Sequence, residues 1–559
     1  MNLFNAIFKH DSLECTAILF EEQQISYAEL REQTILIARA LATLGIKRGE
    51  RVALLLNDSP EFVASFIAIC SFGAIAVPIN IGLRLDEQLV ILNDCTARTV
   101  IAEAELEDNL PSDAGVTLPH VKDFVVVDRN QGRRLAAETR NEWGQRRGDK
   151  ALKVWSLAGL REGAGAEGES ADKSAHSKFG VFPETTFYEP EENQSAFILY
   201  TSGSTGEPKG AVHCQSDIFC TNETYCRQVL KLTDDDRLFS SSRLPFAYGF
   251  GNAFTFPLLN GCTTILCREK PTPEVITRVF ARYKPTIFFS VPVVYRLLLD
   301  NHKNNSSLDC ASLRLCISAG EALPAQLGEE WEKTLGVPVL DGIGSTEMLH
   351  MWMSNHQGNI VYGSSGKLLN GYDARLLDEN GKTTPSEAEG NLWVKGASAA
   401  RGYWQRPKTT ANTFVDGWVR TGDLYRRDTD GYWFHIGRSD DCFKSSSQWV
   451  SPVEVEGALL RHADVSRAAV VEDFDEAGLP CACAFIVSPE ASADHARLEE
   501  QLRELVRECL PRFKQPRRYV FVDELPYTAT GKIQRFKLRE GLRKNREVSS
   551  SGFRVSSLD

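Results

Sequence analysis

What most constrains the fold of this chain is the rhythm of its first two hundred residues, where short apolar runs alternate with helical segments. "RVALLL" (51–56), "AIAVPI" (74–79) and "RTVIA" (98–102) read as strands. Between them lie segments with helix signals: Ser26 and Glu29 form a capping box in "SYAEL", that helix closes at Gly45, and Pro60 opens the next. Strands that alternate with helices imply an α/β chain built on parallel-rich, helix-covered sheets. Ligands of such sheets sit at the carboxyl ends of strands. A chain of 559 residues exceeds one core, so further domains are expected.

After "GYWFHIGRSDD" the texture changes. "SPVEVEGALLRH" is a capped helix, "ARLEEQLRELVREC" an amphipathic one, and "SRAAVVE", "CACAFIV" and "RRYVFVDEL" are short strands. These elements make a small α+β domain. The expected organisation is a large domain over 1–439 and a small one over 440–545, with a disordered tail over 546–559. Within the large domain, residues 128–190 break the pattern. "REGAGAEGESADKSAHSK" has no apolar period and reads as a partly flexible insertion.

Composition excludes several classes. A formal charge of −12 disfavours nucleic acid and acidic membrane surfaces, which need a basic face. The uncharged stretch "FVASFIAICSFGAIAV" (62–77) is shorter than a membrane span, and Gly73 and Pro78 punctuate it as a buried helix turning into a strand. No secretion signal stands at the start, and fourteen cysteines without CxxC pairs suggest reduced core thiols. A soluble, cytoplasmic enzyme without nucleic-acid or membrane partners is expected; the oligomeric state is not legible.

"YTSGSTGEPKGAVH" (200–213) follows the strand-like "SAFILY" and packs glycines among hydroxyls and one lysine. Glycine lets backbone N–H groups approach an anion, and Ser and Thr add donors. Lys209 is followed by Gly210 rather than a hydroxyl residue, so the loop is not the GxxxxGK[ST] phosphate loop. A Gly/Ser-rich connector is the competing reading.

Four further stretches decide between these: "SAGEALP" (318–324), "DGIGSTEM" (341–348), "RTGDLYRRDTDGYWFHIGRSDD" (420–441) and "PYTATGKIQR" (526–535). In this order and spacing, with the glycine loop, they resemble the adenylate-forming superfamily of acyl-CoA ligases, adenylation domains and luciferases. The resemblance implies activation of a carboxylate by ATP to an acyl-adenylate, with release of pyrophosphate, then thioester formation. Its implied cofactors are ATP, Mg²⁺ and CoA, or the phosphopantetheine of a carrier protein.

On that resemblance Thr201, Ser202, Ser204, Thr205 and Lys209 cradle the β- and γ-phosphates, where donors and positive charge stabilise the leaving group. Glu347 is the implied Mg²⁺ ligand, a carboxylate suiting a hard cation, and Thr346 contacts the α-phosphate. Gly320, Glu321 and Ala322 lie against adenine, with Asp341 accepting from its amino group and Gly342 beside it. Asp423 accepts from the ribose hydroxyls, as an acceptor-only group can. Arg438 donates to the ribose or phosphate end; a structural ion pair is its alternative. Lys532 bridges the attacking carboxylate and the α-phosphate, offsetting their repulsion. Asp440 matches the hinge about which the small domain turns, and Lys444 lies on the loop expected to enter for thioester formation. That loop departs from the family pattern: "KSSSQWVSP" places Ser447 where relatives carry glycine, which leaves the thiol acceptor open.

"RLPFAYGFGNAFTFPL" (243–258) and "STEMLHMWMSN" (345–355) most resemble the benzoate-CoA ligase branch. The implied pocket for a flat ring is Phe246, Ala247, Tyr248, Ala319, Ile343 and His350, each of which has core packing as its alternative. Relatives commonly carry an aromatic residue at Ile343, so aliphatic packing against adenine is expected there. A free-standing aryl-CoA ligase is the first expectation. An enzyme that loads a separate acyl carrier protein is the second, and a silent binding protein is disfavoured by Glu347, Asp423, Arg438 and Lys532 together.

Overall fold

The computed structural model describes residues 2–9, 13–103, 118, 120–127, 153–157, 187–202, 207–305, 308–385, 387–445, 448–475, 477–488, 494–527 and 533–550. They form two compact units: Met1–Asp373 with Val394–Val419, and Ala374–Trp393 with Arg420–Asp559. Asp440, the expected boundary, lies inside the second unit, which takes in an earlier stretch of chain as well.

The first unit holds two large sheets. In spatial order the seven-stranded sheet runs Lys153–Ser156, Asp123–Val127, Thr99–Glu103, Arg51–Leu55, Ile75–Pro78, Ser195–Ser202 and Pro208–Cys214. All its neighbours are parallel except the last pair, a hairpin. The nine-stranded sheet has a parallel centre of Leu315–Ser318, Ile287–Ser290, Arg237–Ser240 and Thr263–Leu266. Val339–Gly344, Met351–Ser354 and Lys367–Leu368 extend one side, Thr16–Phe20 and Gln23–Ser26 the other.

Local signals set the helices. Ser26 Oγ accepts from Glu29 N–H while Glu29 accepts from Ser26 N–H, opening helix Tyr27–Thr43. Ser59 caps and Pro60 starts helix Pro60–Phe72, which ends at Gly73 and passes into Ile75–Pro78. This is the apolar stretch that could have suggested a membrane span, and it is a core helix. No helix among the described residues is long and apolar enough to cross a membrane. The Phe66 ring lies 5.5 Å from Phe197 in the seven-stranded sheet and 4.9 and 5.3 Å from Phe250 and Phe254. Burying one such side chain contributes about 1.5–3 kcal/mol, and here it ties that sheet to the segment that carries Tyr248. None of the fourteen cysteines is in a disulfide, and ten are buried, spread over the first and second units alike rather than clustered on a surface.

The second unit contains the antiparallel pair of Trp418–Arg427 (from Arg420 on) and Trp433–Arg438, and the small sheet Arg467–Phe474, Pro480–Val487 and Arg518–Phe521. Helices Pro452–Leu459 and His495–Cys509 cover one face of that sheet. One expectation needs correction. The helix Arg535–Ser550 runs five residues into the segment expected to be a disordered tail, because Leu538 and Leu542, one turn apart, anchor it on the sheet. Within 128–190, Lys153–Ser156 is an edge strand paired with Asp123–Val127, too short to give a periodic signal. The rest of the insertion lies almost wholly outside the described residues.

Candidate functional site

The hairpin Ser195–Ser202/Pro208–Cys214 puts Thr201 opposite Lys209 and Ser202 opposite Pro208, at the carboxyl end of a strand parallel to Ile75–Pro78. Ser204 and Thr205 lie outside the described residues. The outer strand of the hairpin is itself held by residues 400–404. Val212 N–H donates to Gly402, Arg401 N–H to Val212 and Trp404 N–H to Gly210. This ladder brings Tyr403 beside Lys209, whose Nζ lies 6.0 Å from the ring centroid.

Thr346 and Glu347 form a tight 3₁₀ turn that Ser345 caps. The turn is held from several sides. His213 Nε2 lies 2.8 Å from the Thr346 carbonyl, and Ala400 N–H donates to the Glu347 carbonyl at 2.8 Å. Ser398 Oγ donates to the Met348 carbonyl at 2.9 Å, and the Tyr403 hydroxyl donates to Glu347 Oε1 at 2.6 Å. His213 is itself fixed: its Nδ1 is 2.9 Å from Asp217 Oδ2, and both side chains are fully buried. Asp217 also accepts from Cys214 N–H, Ser216 and Arg401. The next residue, Leu349, is buried at φ 65°, a conformation that costs a non-glycine residue about 1–3 kcal/mol. That bend aims His350 back into the protein.

Asp341 lies in the buried half of strand Val339–Gly344, beside Ser318. Its Oδ2 accepts from Leu323 N–H at 3.3 Å, whereas Oδ1 is buried without a hydrogen bond. Burial pushes this carboxyl well above the usual range. The same hydrogen bond ties the turn of Gly320, Glu321 and Ala322 to this strand, with Gly320 at φ +90°, where only glycine is unstrained. Gly342 and Ile343 pair with Ser354 and Met353. An orphaned acceptor beside an exposed glycine turn suits a polar, flat ligand, and the half-buried Glu347 suits a hard cation.

The ring-pocket candidates converge in part. The Tyr248 and His350 rings stack at 5.8 Å, and the Tyr248 hydroxyl donates to the Ile317 carbonyl at 3.0 Å. It also lies 3.4 Å from the Ser290 carbonyl, which accepts from Ala319 N–H. Gly344, next to Ile343, lies against the His350 backbone. Phe246 caps the short helix Ala247–Phe250 that carries Ala247 and Tyr248. Burial lowers His350 to about 3, so the ring is neutral at any working pH. Tyr225, 4.7 Å from His350, was not anticipated from the sequence. It sits in the π-helical stretch Asn222–Leu230, and Gly251–Thr255 is another, a geometry frequent at functional sites.

The remaining candidates lie in the second unit. Asp423 faces Arg438 across a strand pair, and Arg438 Nη1 donates to Asp423 Oδ1 at 3.1 Å and to the Thr421 carbonyl at 2.8 Å. Burial alone would raise the Asp423 carboxyl, but His435 and Arg438 outweigh it and hold it below its ordinary value. Arg438 is thus an ion-pair partner of Asp423. Asp440 is exposed just beyond that strand. Lys444 pairs with Glu379 at 2.6 Å and lies 5.0 Å from the Trp449 ring. Lys532 and Ser447 lie outside the described residues.

Sequence reasoning missed Tyr403, His213 and Asp217. The His213–Asp217 spacing of four was a visible signal; nothing local marked Tyr403, which reaches Glu347 from 56 residues away.

Comparison with known proteins agrees with this geometry. The family model for AMP-binding enzymes matches residues 9–404, and the model for their C-terminal domain matches 454–532. The chain is 38% identical to a benzoate–CoA ligase of Thauera aromatica, covering 94% of this chain and 92% of that one. The structure is similar to an anthranilate CoA ligase, AuaEII, in complex with anthranoyl-AMP (34% identity, TM-score 0.84, 98% of both chains). It is also similar to a benzoate CoA ligase from Burkholderia xenovorans LB400 (34% identity, TM-score 0.79, 96% of this chain and all of that one). The chain belongs to the AMP-binding enzyme family.

Proposed function

We propose that this chain is an AMP-forming ligase that activates a small aromatic carboxylic acid and passes it to the thiol of CoA. In the first step a carboxylate oxygen attacks the α-phosphorus of ATP, the bond to pyrophosphate breaks, and an acyl-adenylate forms. In the second, the CoA thiol attacks the acyl carbonyl, loses its proton to solvent, and AMP leaves.

The observation that supports this reading most is the meeting of two opposite charges at Tyr403, one of them, Glu347, three residues before the aromatic wall at His350. Lys209 faces the ring, Glu347 accepts from its hydroxyl, and His350 stacks on Tyr248 beyond. On this reading Thr201, Ser202, Ser204, Thr205 and Lys209 hold the β- and γ-phosphates and stabilise charge on the departing pyrophosphate. Thr346 meets the α-phosphate. Glu347 holds Mg²⁺, which neutralises phosphate charge when bound. Asp341, Gly342 and Gly320–Ala322 take the adenine, and Asp423 the ribose, with Arg438 beside it. Lys532 orients the acid against phosphorus, Asp440 is the hinge, and Lys444 serves the thioester step.

Phe246, Ala247, Tyr248, Ala319, Ile343 and His350 hold the ring of the acid by area burial and edge contacts. The test is ATP–pyrophosphate exchange across a panel of aryl and alkyl acids, followed by thioester formation with CoA. Benzoate-sized acids are expected to exceed octanoate in kcat/KM, because Tyr248 and His350 close the pocket. A preference for long chains overturns the aryl assignment. Ready adenylation with no CoA thioester transfers the acceptor role to a carrier protein's phosphopantetheine.

A further inference from the structure

Tyr403 hydrogen-bonds Glu347 and has Lys209 over its ring, the two charged groups that the proposed reaction places around the phosphates, and no motif announced it. Its backbone is set by the ladder to the Lys209 strand and by its own N–H, which donates to Thr410 Oγ1 at 2.9 Å. The ring packs edge-on against Phe414 at 5.5 Å. So placed, the hydroxyl spends its proton on one oxygen of Glu347, Oε1, at 2.6 Å, a short, charge-assisted bond. The main chain of Glu347 is pinned by His213 and Ala400 at the neighbouring carbonyls. With its backbone fixed and one oxygen engaged, the carboxylate has a single orientation, with Oε2 turned away from the phenol. The face of the same ring carries the Lys209 ammonium. One side chain therefore lies beside both a carboxylate and a lysine.

We infer that Tyr403 is a positioning residue for a divalent cation: its hydroxyl orients Glu347 so that Oε2 is presented to the metal that accompanies ATP. This rests on the reading of Glu347 as the metal ligand given above. A hydrogen-bond donor that orients a carboxylate ligand is the usual outer support of a metal site, and its loss typically costs about 10–100-fold in metal affinity.

Tyr403→Phe removes one oxygen and keeps the ring, its packing on Phe414 and its face toward Lys209. The experiment titrates Mn²⁺ into the full-length protein with ATP and no carboxylic acid, reading bound metal by electron paramagnetic resonance. Affinity for ATP is measured separately in EDTA. Tyr403→Phe is expected to weaken Mn²⁺ binding about tenfold while leaving metal-free ATP affinity unchanged. Unchanged Mn²⁺ binding overturns the inference, as does an equal loss in EDTA, which would make the tyrosine a support for Lys209 instead. Glu347→Gln separates the two levels of the argument. If it weakens Mn²⁺ binding and Tyr403→Phe does not, the inference about Tyr403 fails alone. If neither does, the assignment of Glu347 fails with it.

Discussion

Gly251→Ala offers a direct test of the proposed pocket, because the two effects of the substitution can be worked out separately. Gly251 has helical dihedrals, φ −65° and ψ −55°. Alanine is therefore free of backbone strain there, and helix propensity alone favours it by about 1 kcal/mol. The obstacle is space. A Cβ would stand 2.5 Å from His350 Cδ2, 2.8 Å from its Nε2 and 2.9 Å from Phe256 Cε2. Ordinary contact begins at 3.4 Å, so the imidazole must retreat by about 0.9 Å. It has little room to do so, with Tyr225 and Phe256 at 4.7 Å and Tyr248 at 5.8 Å between ring centroids. Overpacking of this kind costs about 1–3 kcal/mol, so the net destabilisation is modest and the variant folds. What changes is the wall facing the acid. The expected result is a KM for benzoate raised about tenfold, equivalent to about 1.4 kcal/mol, with the KM for ATP within about twofold of wild type. Steady-state kinetics beside a thermal melt measure both. A wild-type benzoate KM in a normally folded variant would refute the placement of His350 in the pocket. So would an equal rise in both constants.

Three further outcomes are expected. Lys532→Ala should lose pyrophosphate exchange by orders of magnitude yet still convert supplied acyl-adenylate to thioester; equal loss of both half-reactions would remove the role given to this lysine. Asp58 is raised from 3.8 to about 6 by burial, against the opposing pull of Arg243 and Leu244 N–H, so the folded form keeps a proton the unfolded chain has lost. Stability should then fall as pH rises from about 4 to about 6 by up to about 3 kcal/mol, a fall that denaturation of Asp58→Asn should lack. Glu456 accepts from Val470 N–H and, at 2.7 Å, from Arg535 inside the second unit; Glu456→Ala should cost about 3–5 kcal/mol, and an unchanged urea midpoint would contradict it.

Much of this architecture could be read in advance, for a local reason. Helix starts are written in neighbouring residues, so Ser26 with Glu29, Pro60 and the capped start of "SPVEVEGALLRH" at Ser451 were all legible. The order of strands was not, because partners such as Ile18 and Thr264 are chosen by packing and leave no mark on each other's neighbours. The π-helical turns around Tyr225 and Gly251 likewise follow from tertiary crowding rather than propensity. The site divides in the same way. Thr346, Glu347 and His350 lie within one short motif, whereas the groups that hold them, His213, Ala400 and Tyr403, come from elsewhere in the chain. A motif reports what touches substrate better than what keeps it in place.

The strand Thr16–Phe20 has a consequence for how the chain is made. It pairs in parallel with Thr263–Leu266 and closes the inner side of the edge hairpin. That partner leaves the ribosome about 250 residues later, a delay of roughly 12–50 s at ~5–20 residues per second. Through this interval Ile18 and Phe20, buried in the finished protein, have only the Gln23–Ser26 strand beside them and no sheet to complete their burial. The emerging chain therefore carries an apolar hairpin with one edge unpaired for most of the synthesis of its first unit, the condition under which nascent chains associate wrongly or engage chaperones. Slowed translation before residue 263 should lengthen that exposure, and a reporter of nascent-chain aggregation would register it before any loss of activity in the mature enzyme.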